Sequence, residues 1–151
     1  MKKIENSSNK LITNVYLPNM KSKLKFILVG ENALVDVTTG KMTIVGLFSD
    51  IKIPTESESV ALNIVVAGQL MAEEAKEGDM GTLTINIKNP DGSILRTTPL
   101  TGPFEKGGKV QFTAYFNLVE FKQVGEYAIE ALLDGEPCVK DDRLCFFNVN
   151  K

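Results

Sequence analysis

The residues in this sequence whose side chains could carry chemistry are mainly carboxylates and two thiols. The chain contains no histidine, which is the usual general base and the commonest metal ligand, so the usual catalytic triads cannot be built. A calcium ion takes about 6 to 8 oxygen ligands, and neither group of neighbouring carboxylates has a recognised calcium-loop spacing. We predict no catalytic residue, no metal site and no cofactor. The two groups are Glu73, Glu74, Glu77 and Asp79, and Asp134, Glu136, Asp141 and Asp142.

The two thiols, Cys138 and Cys145, flank a polar stretch at residues 139–143. This stretch has the composition of a hairpin tip, so the thiols could face each other across it and form a disulfide. Two thiolates fall short of the four ligands of a structural zinc site. In a reducing cytoplasm, two small half-buried thiols are the simpler interpretation.

The sequence gives only weak evidence for a surface that binds carbohydrate or nucleic acid. The chain contains no tryptophan, so an aromatic platform for a sugar would fall to Tyr16, Tyr115 or Phe104. The net charge of −2 gives no overall attraction to nucleic acid or to an anionic membrane. We therefore expect a protein that is not an enzyme and that binds neither nucleic acid nor membrane.

The N-terminal sequence and the apolar runs bear on location. Residues 1–3 are followed by a polar stretch at 4–10, where a secretory signal would need an apolar region of at least ~7 residues. The longest apolar runs, such as residues 64–68, fall far short of the ~20 residues needed to cross a bilayer. We predict a cytoplasmic protein.

The elements that position these residues are predicted to be β-strands. A chain of 151 residues has the size of a single domain. From Leu24 onward, apolar and polar side chains alternate in short runs separated by turn residues, and helical periodicity is nearly absent. The pattern predicts an all-β fold, an immunoglobulin-like antiparallel β-sandwich of seven or eight strands over residues 24–149.

Three local patterns make this prediction specific. The turn at residues 38–41 predicts a hairpin between residues 33–37 and 42–48. The proline- and glycine-containing residues 99–108 predict a mobile loop. Alternation in the following segment predicts a strand with one face formed by Val110, Phe112, Ala114, Phe116 and Leu118.

Tyr127 begins the predicted penultimate strand, after Gly125 and Glu126. In immunoglobulin-like sandwiches a tyrosine at this place often returns its hydroxyl to loop backbone and pins the corner. We predict that Tyr127 has this structural role. The cysteine and tryptophan core set of antibody domains is missing.

Three segments, in this order, resemble the motifs of a family of small uncharacterised bacterial proteins with an immunoglobulin-like β-sandwich. They are residues 41–51, the turn Asn-Pro-Asp-Gly at 89–92, and residues 121–135, which contain Gly125, Tyr127 and the pair Asp134-Gly135. The resemblance covers residues 24–149 and implies the fold. The family has no established activity, so the resemblance implies no site. Residues 138–143 are longer than the family's usual connection before the last strand.

The first 23 residues are predicted to form an arm outside the sandwich. Residues 1–25 contain six lysines and one glutamate, a charge of +5, while the remaining 11 basic and 18 acidic residues give −7. Pro18 disfavours a helix, so an ordered arm would be extended and would lie on its own domain or on a neighbour. A disordered tail fits the sequence equally well. The residues that we expect to contact a partner are Leu11, Val15 and Leu17.

Three functions fit these observations. The first is a non-catalytic module that recognises another protein, or itself as a homo-oligomer, through edge strands, residues 99–108 or the arm. The second is a structural subunit or decoration domain of a phage-like or secretion-type assembly. The third is a sandwich that binds a small ligand or calcium.

Overall fold

The computed structural model describes residues 21–47, 49–138 and 146–151. The described residues form eleven strands and no helix. The strands are β1 (Ser22–Gly30), β2 (Asn32–Val35), β3 (Met42–Val45), β4 (Asp50–Lys52), β5 (Val60–Ala72), β6 (Met80–Lys88), β7 (Ile94–Pro103), β8 (Lys109–Phe121), β9 (Gly125–Leu133), β10 (Glu136–Pro137) and β11 (Phe146–Asn150).

Two sheets face each other. The first sheet has the order β1-β5-β8, and the second has the order β4-β11-β9-β6-β7, with β10 paired to β9. The pairs are antiparallel except that β4 and β11 run parallel. This order corresponds to strands A, B and E facing strands G, F, C and C′ of an immunoglobulin domain. The predicted all-β, immunoglobulin-like sandwich is confirmed.

The core lies between the two sheets and follows the two-residue alternation of the strands. In β6, Leu83, Ile85 and Ile87 are buried as one face of the strand. They join buried residues of β9 and β5 in one continuous cluster. Burial of each such aliphatic side chain contributes roughly 1.5–3 kcal/mol.

A third layer lies on the outer side of the first sheet. The β2–β3 hairpin is paired in register from Asn32 with Val45 to Val35 with Met42, which confirms the predicted hairpin with shorter strands. Val65 and Ala67 alternate with core residues yet are only 2% and 1% exposed. Thr113 Oγ1 donates to Met42 Sδ at 3.5 Å, which places the hairpin against this outer face.

Two predictions about the strands are wrong, one about where a loop begins and one about which face a side chain takes. Each error has a physical reason. Residues 99–103 are not part of a loop, because β7 continues through Pro99 to Pro103 as an edge strand paired only with β6. An edge strand tolerates proline where its N–H would face away from its partner. Leu118 does not share the buried face of β8, because its side chain is 68% exposed.

A bulge in β8 explains the error at Leu118. The register with β5 shifts between Leu62 and Ile64, so the alternation reverses and Val119 and Phe121 are buried instead. Leu118 takes a φ of 49°, a left-handed conformation that costs a branched L-residue roughly 1–2 kcal/mol. Its N–H donates to Asn63 Oδ1 at 3.0 Å, which holds the bulge in place.

Tyr127 has the structural role predicted from its position. Its hydroxyl donates to the carbonyl of Gln123 at 2.9 Å and accepts from the N–H of Gln123 at 3.2 Å. The ring lies edge-on to Phe121 with centroids 5.1 Å apart and stacks on Phe147 with centroids 5.5 Å apart. Tyr127 therefore ties the β8–β9 corner to the core.

Replacing Tyr127 by phenylalanine should lower the free energy of unfolding by about 1–2 kcal/mol, because the backbone of Gln123 loses both hydrogen bonds in a partly buried corner. Chemical denaturation monitored by circular dichroism measures the change. Tyr115→Phe is the matched control, since the Tyr115 side chain is 51% exposed and its change should be close to zero. Equal effects of the two variants would contradict the role of the corner.

Replacing Leu118 by asparagine should raise the free energy of unfolding by about 0.5–1 kcal/mol, because asparagine tolerates the left-handed conformation better. The thermal midpoint of Leu118→Asn, compared with that of Leu118→Ala, separates relief of backbone strain from loss of an exposed apolar side chain. If both variants shift the midpoint equally, the strain at residue 118 is not the cause.

Candidate functional site

An apolar cleft opens where the two sheets meet at one side of the sandwich, between the edge strands β7 and β8. Its volume is about 290 Å³, the liquid volume of roughly ten water molecules. The walls come from β5, β6, β7, β8 and β9, together with the residue that follows β7. The lining residues are Leu70, Gly81, Leu83, Leu100, Thr101, Gly102, Pro103, Phe104, Val110, Gln111, Phe112, Thr113 and Leu133.

Backbone groups of β8 that no described strand pairs border the cleft. The N–H of Ala72 donates to the carbonyl of Gly108 at 2.8 Å, and the β5–β8 register then continues through Leu70 with Val110. In an antiparallel ladder, alternate residues direct their N–H and C=O groups to opposite sides of the strand. Even-numbered residues of β8 therefore bond to β5 from 110 to 116, and Gln111, Thr113 and Tyr115 present their backbone groups away from it.

The β7 side of the cleft is different, because prolines block it. The N–H of Phe104 donates to the carbonyl of Asp79 at 2.8 Å. Because alternate residues of an antiparallel strand direct their backbone groups to the same neighbour, residues 98, 100 and 102 of β7 bond to β6. Pro99 and Pro103 occupy two of the outward-facing positions, on either side of Thr101, and have no N–H to offer. A strand added at the cleft could accept hydrogen bonds from outward-facing N–H groups of β8, whereas β7 offers few such N–H groups.

The four edges of the two sheets are protected to different degrees. Natural proteins protect sheet edges with short strands, prolines, lysines and bulges. β4 has three residues, β7 carries the two prolines, and β1 has Lys23 and Lys25 together with a bulge at Lys25. Residues 110–117 of β8 contain no proline and no charge. The edge next to the cleft is therefore the one best suited to pairing.

The cleft can bind, but its walls offer no acid–base chemistry. None of the lining residues that the structure describes has an ionisable side chain. Leu70, Leu83 and Phe104 supply buried apolar surface, while the hydroxyls of Thr101 and Thr113 lie on the outer faces of the two sheets, where they bond to Thr82 and Met42. Such a site suits alternate apolar side chains of an extended segment whose backbone pairs with β8.

The β2–β3 hairpin carries a second exposed apolar surface. Leu34, Val45 and Leu47 have exposed side chains, and Leu34 and Val45 lie on the face opposite Ala33 and Ile44. The sequence interpretation missed this surface, because alternation alone does not say that a hairpin leaves the sandwich to form a third layer.

The carboxylate groups do not form a metal site among the described residues. No set of three or more acidic, histidine or cysteine side chains comes together in residues 21–47, 49–138 and 146–151. Asp134 holds a turn instead: its Oδ1 accepts from the N–H of Thr82 at 2.8 Å, and its own N–H donates to the carbonyl of Thr82 at 2.8 Å. Asp141 and Asp142 lie outside the described residues.

Cys138 is buried and its thiol is free. Ser22 Oγ donates to its sulfur at 3.2 Å. Burial raises the pKa of the Cys138 thiol above its ordinary value, although the hydrogen bond from Ser22 acts in the opposite direction. A raised pKa makes this thiol a poor nucleophile at neutral pH. Cys145 lies outside the described residues.

The structure describes only some of the residues that were predicted to contact a partner or a sugar. Leu11, Val15, Leu17 and Tyr16 lie outside the described residues, so their roles stay predictions. Tyr115 is exposed on the outer face of the first sheet, whereas Phe104 is buried and lines the cleft. The two aromatic residues thus do not form one platform.

The cleft itself was not predicted, because it depends on which strands form the edges of the two sheets. One signal was present in the sequence: Pro99 and Pro103 are four positions apart, so they fall on the same phase of a two-residue alternation. Two prolines in the same phase of an alternating run indicate an edge strand rather than a loop.

Comparisons with known proteins add a family. A family of unknown function (DUF6941) matches residues 25–140. The chain belongs to this family. The resemblance to an uncharacterised family is therefore confirmed, and membership brings the chain no established activity. Among curated proteins, no significant match was found.

Solved structures share the fold at low sequence identity. The C-terminal domain of wzt matches with a TM-score of 0.53 and 13% identity over 88% of this chain and 75% of its own. The alkylpurine DNA glycosylase AlkC of Pseudomonas fluorescens, bound to DNA containing an abasic site analogue, matches with a TM-score of 0.50 and 11% identity over 87% of this chain. The chain covers only 31% of that glycosylase chain.

An immunoglobulin-like protein from Pseudomonas aeruginosa matches with a TM-score of 0.36 and 10% identity over 85% of this chain and 96% of its own. At such identities these likenesses concern the fold alone. Within the described part of the chain, no helix has the length and apolar character to cross a membrane.

The raised pKa of Cys138 predicts a dependence of stability on pH. A thiol whose pKa is higher in the folded state than in the unfolded state stabilises the fold fully below the unfolded value of about 8.5, and this contribution is lost as pH rises toward the folded value. In a Cys145→Ala background, the free energy of unfolding should fall more steeply from pH 8 to 10 than in the same background with Cys138→Ala. The difference in slope should be at most about 1.4 kcal/mol per pH unit. Parallel pH profiles from urea denaturation would refute the assignment.

Proposed function

We propose that this chain is a non-catalytic protein-interaction module that binds an extended segment of a partner protein along the free edge of β8. The observation that supports the proposal is the row of outward-facing backbone groups at Gln111, Thr113 and Tyr115 beside an apolar cleft. Strand addition of this kind uses main-chain hydrogen bonds for affinity and pockets for alternate side chains for specificity.

The chemistry of the cleft indicates what the partner segment should look like. The wall contributed by Leu70, Leu100 and Phe112 is apolar, and each buried methylene of a ligand contributes about 0.8 kcal/mol. The rim offers Thr101, Gln111 and Thr113, which are uncharged. A partner strand with apolar residues at every second position and few charges satisfies both requirements.

A role without catalysis is supported by the absence of ionisable side chains from the described cleft wall and by the lack of histidine in the whole sequence. A cytoplasmic location fits the same proposal, because the buried Cys138 is compatible with a reducing compartment.

A second candidate function is a structural subunit of a larger assembly. The observation that favours it is the exposed apolar surface of the hairpin at Leu34, Val45 and Leu47, because such surfaces often form contacts between subunits. Light scattering after size-exclusion chromatography separates the two functions. A structural subunit should form rings or larger species, whereas an interaction module should keep a small, fixed mass.

Blocking the edge of β8 should abolish strand binding while the fold is preserved. Thr113→Pro removes an N–H that faces away from β5, so no hydrogen bond of the sheet is lost. The matched control is Thr113→Ala, which keeps the N–H but loses the same side chain. Peptides of 12 residues selected from a displayed library on the full chain should lose at least tenfold in affinity for Thr113→Pro, about 1.4 kcal/mol, and should bind Thr113→Ala nearly as well as they bind the unchanged chain.

The selected peptides should share apolar residues at alternate positions. Mass spectrometry should recover them uncleaved, as expected of a module without catalysis. Peptides that bind Thr113→Pro as tightly as Thr113→Ala, or a library that yields no enriched sequence, would overturn the proposal. Comparison of the two variants by circular dichroism confirms that both keep the sandwich.

A further inference from the structure

The cleft exists because two paired glycines stand where the neighbouring positions carry large side chains. Gly81 of β6 is directly paired with Gly102 of β7. Two residues further along the same strands, Leu83 is paired with Leu100, and both leucines pack against the core. Side chains two residues apart on a strand lie on the same face. The glycine pair therefore leaves a gap in the inner face of the second sheet.

Two phenyl rings in the cleft wall lie against glycines. A Cβ atom built at Gly81 would lie 2.8 Å from the ring of Phe104, and one built at Gly68 would lie 2.6 Å from the ring of Phe112. Each ring thus occupies the space that a side chain on the glycine would need, because close-packed interiors leave no room for both. Phe104 and Phe112 are buried and both line the cleft. The rings form part of the wall and leave the cleft open.

Gly102 differs from these glycines, because nothing in its surroundings requires the absence of a side chain. A Cβ atom at Gly102 would meet no other atom within 4 Å, and Gly102 does not take a positive φ. Glycine in the interior of a strand weakens the strand, and it often marks a place where a ligand or another backbone approaches closely. The structural consequence of Gly102 is an open cleft.

The size and lining of the cleft fit an aromatic ring. Its volume of about 290 Å³ is nearly twice the roughly 150 Å³ of an apolar cavity that takes up benzene. The cleft therefore accommodates one ring together with the methylene that joins it to a backbone at the mouth. Contacts of an incoming ring with Phe104 and Phe112 would add to the burial of apolar area, since aromatic rings favour offset and edge-on pairs.

The cleft also determines where this ring must stand in a strand that pairs with β8. The β8 part of the lining is residues 110–113, in which Val110 and Phe112 face the core. The chain crosses from β7 to β8 through residues 104–108, so an added strand would end at this crossing, beside Val110. The partner residue that enters the cleft is then the one opposite Phe112. In an antiparallel pair this is a non-hydrogen-bonded position, where opposite side chains are closest.

We propose that the cleft is a pocket for one aromatic side chain of the partner segment, placed opposite Phe112, and that Gly102 is the residue that determines this specificity. The inference rests on the proposed function, because it assigns one required residue to the strand that pairs with β8. The aromatic residue stands near one end of the partner segment, where the added strand reaches the crossing at residues 104–108. The other apolar residues of the segment contribute buried area without a pocket of their own.

Filling the pocket at Gly102 tests the assignment. Peptides of 12 residues selected on the unchanged full chain should share one aromatic position near an end. Gly102→Leu places an aliphatic side chain in the cleft and should lower the affinity of these peptides by about tenfold or more. Thr97→Leu is the matched control, because it adds a leucine to the same edge strand on the opposite, exposed face. This control should bind the peptides as the unchanged chain does.

Replacing the shared aromatic residue of a peptide by alanine gives the second half of a double-mutant cycle. The replacement should cost about tenfold or more in affinity for the unchanged chain. It should cost little for Gly102→Leu, because the pocket is already filled. Such coupling between the peptide residue and residue 102 separates a filled pocket from a general loss of structure.

Circular dichroism confirms that the variants keep the sandwich. If Gly102→Leu does not fold, Gly102→Ala replaces it and should lower the affinity by a smaller factor. Peptides that share leucine or isoleucine in place of an aromatic residue would overturn the inference. Equal binding to the Gly102 variant and to Thr97→Leu would also overturn it.

Indole, as a free aromatic probe, reads the pocket without a peptide. Titration with indole should shift the amide NMR signals of Gly81, Gly102 and Phe112 in the unchanged chain and should not shift them in Gly102→Leu. If peptides discriminate between Thr113→Pro and Thr113→Ala but share no aromatic residue, only the inference fails. If no peptide is enriched, the proposed function fails. Indole shifts confined to the cleft then still support an aromatic pocket, and their absence overturns it.

Discussion

The structure depends on one constraint, which is that side-chain direction and backbone hydrogen-bond direction alternate with the same two-residue period. In β8 this links two properties of each residue. Phe112 and Ala114 send their side chains into the core and their amides to β5, so Thr113 between them has an outward side chain and an amide that faces away from β5. Burial of the core face thus determines which backbone groups remain available for binding.

The same constraint explains how the other edges differ. In β7 the phase set by the pair of Asp79 and Phe104 puts Pro99 and Pro103 at positions whose amides would face outward. A single-residue slip would place both prolines in the ladder and would turn Leu100 away from the cleft. The prolines and the apolar wall therefore support the same register, and one side of the cleft is closed to pairing while the other is open.

Much of the fold could be predicted because buried and exposed side chains alternate regularly along most of its strands. Leu83, Ile85 and Ile87 are buried as alternation predicts, and Tyr127 makes the predicted corner. Leu118 was assigned to the wrong face because the bulge opposite Asn63 depends on cross-strand geometry, and a leucine gives no sign of a left-handed conformation. The cleft could not be predicted, since it arises from the order of strands in space and the sequence gives the order along the chain.

Stability and binding place opposite demands on the β8 edge. A free row of amides beside apolar surface favours recognition and also favours unwanted pairing between copies. Three of the four sheet edges are protected by lysines and a bulge, by shortness or by prolines. The same devices within residues 110–116 of β8 would prevent strand addition, and the β8 bulge opposite Asn63 lies after this stretch.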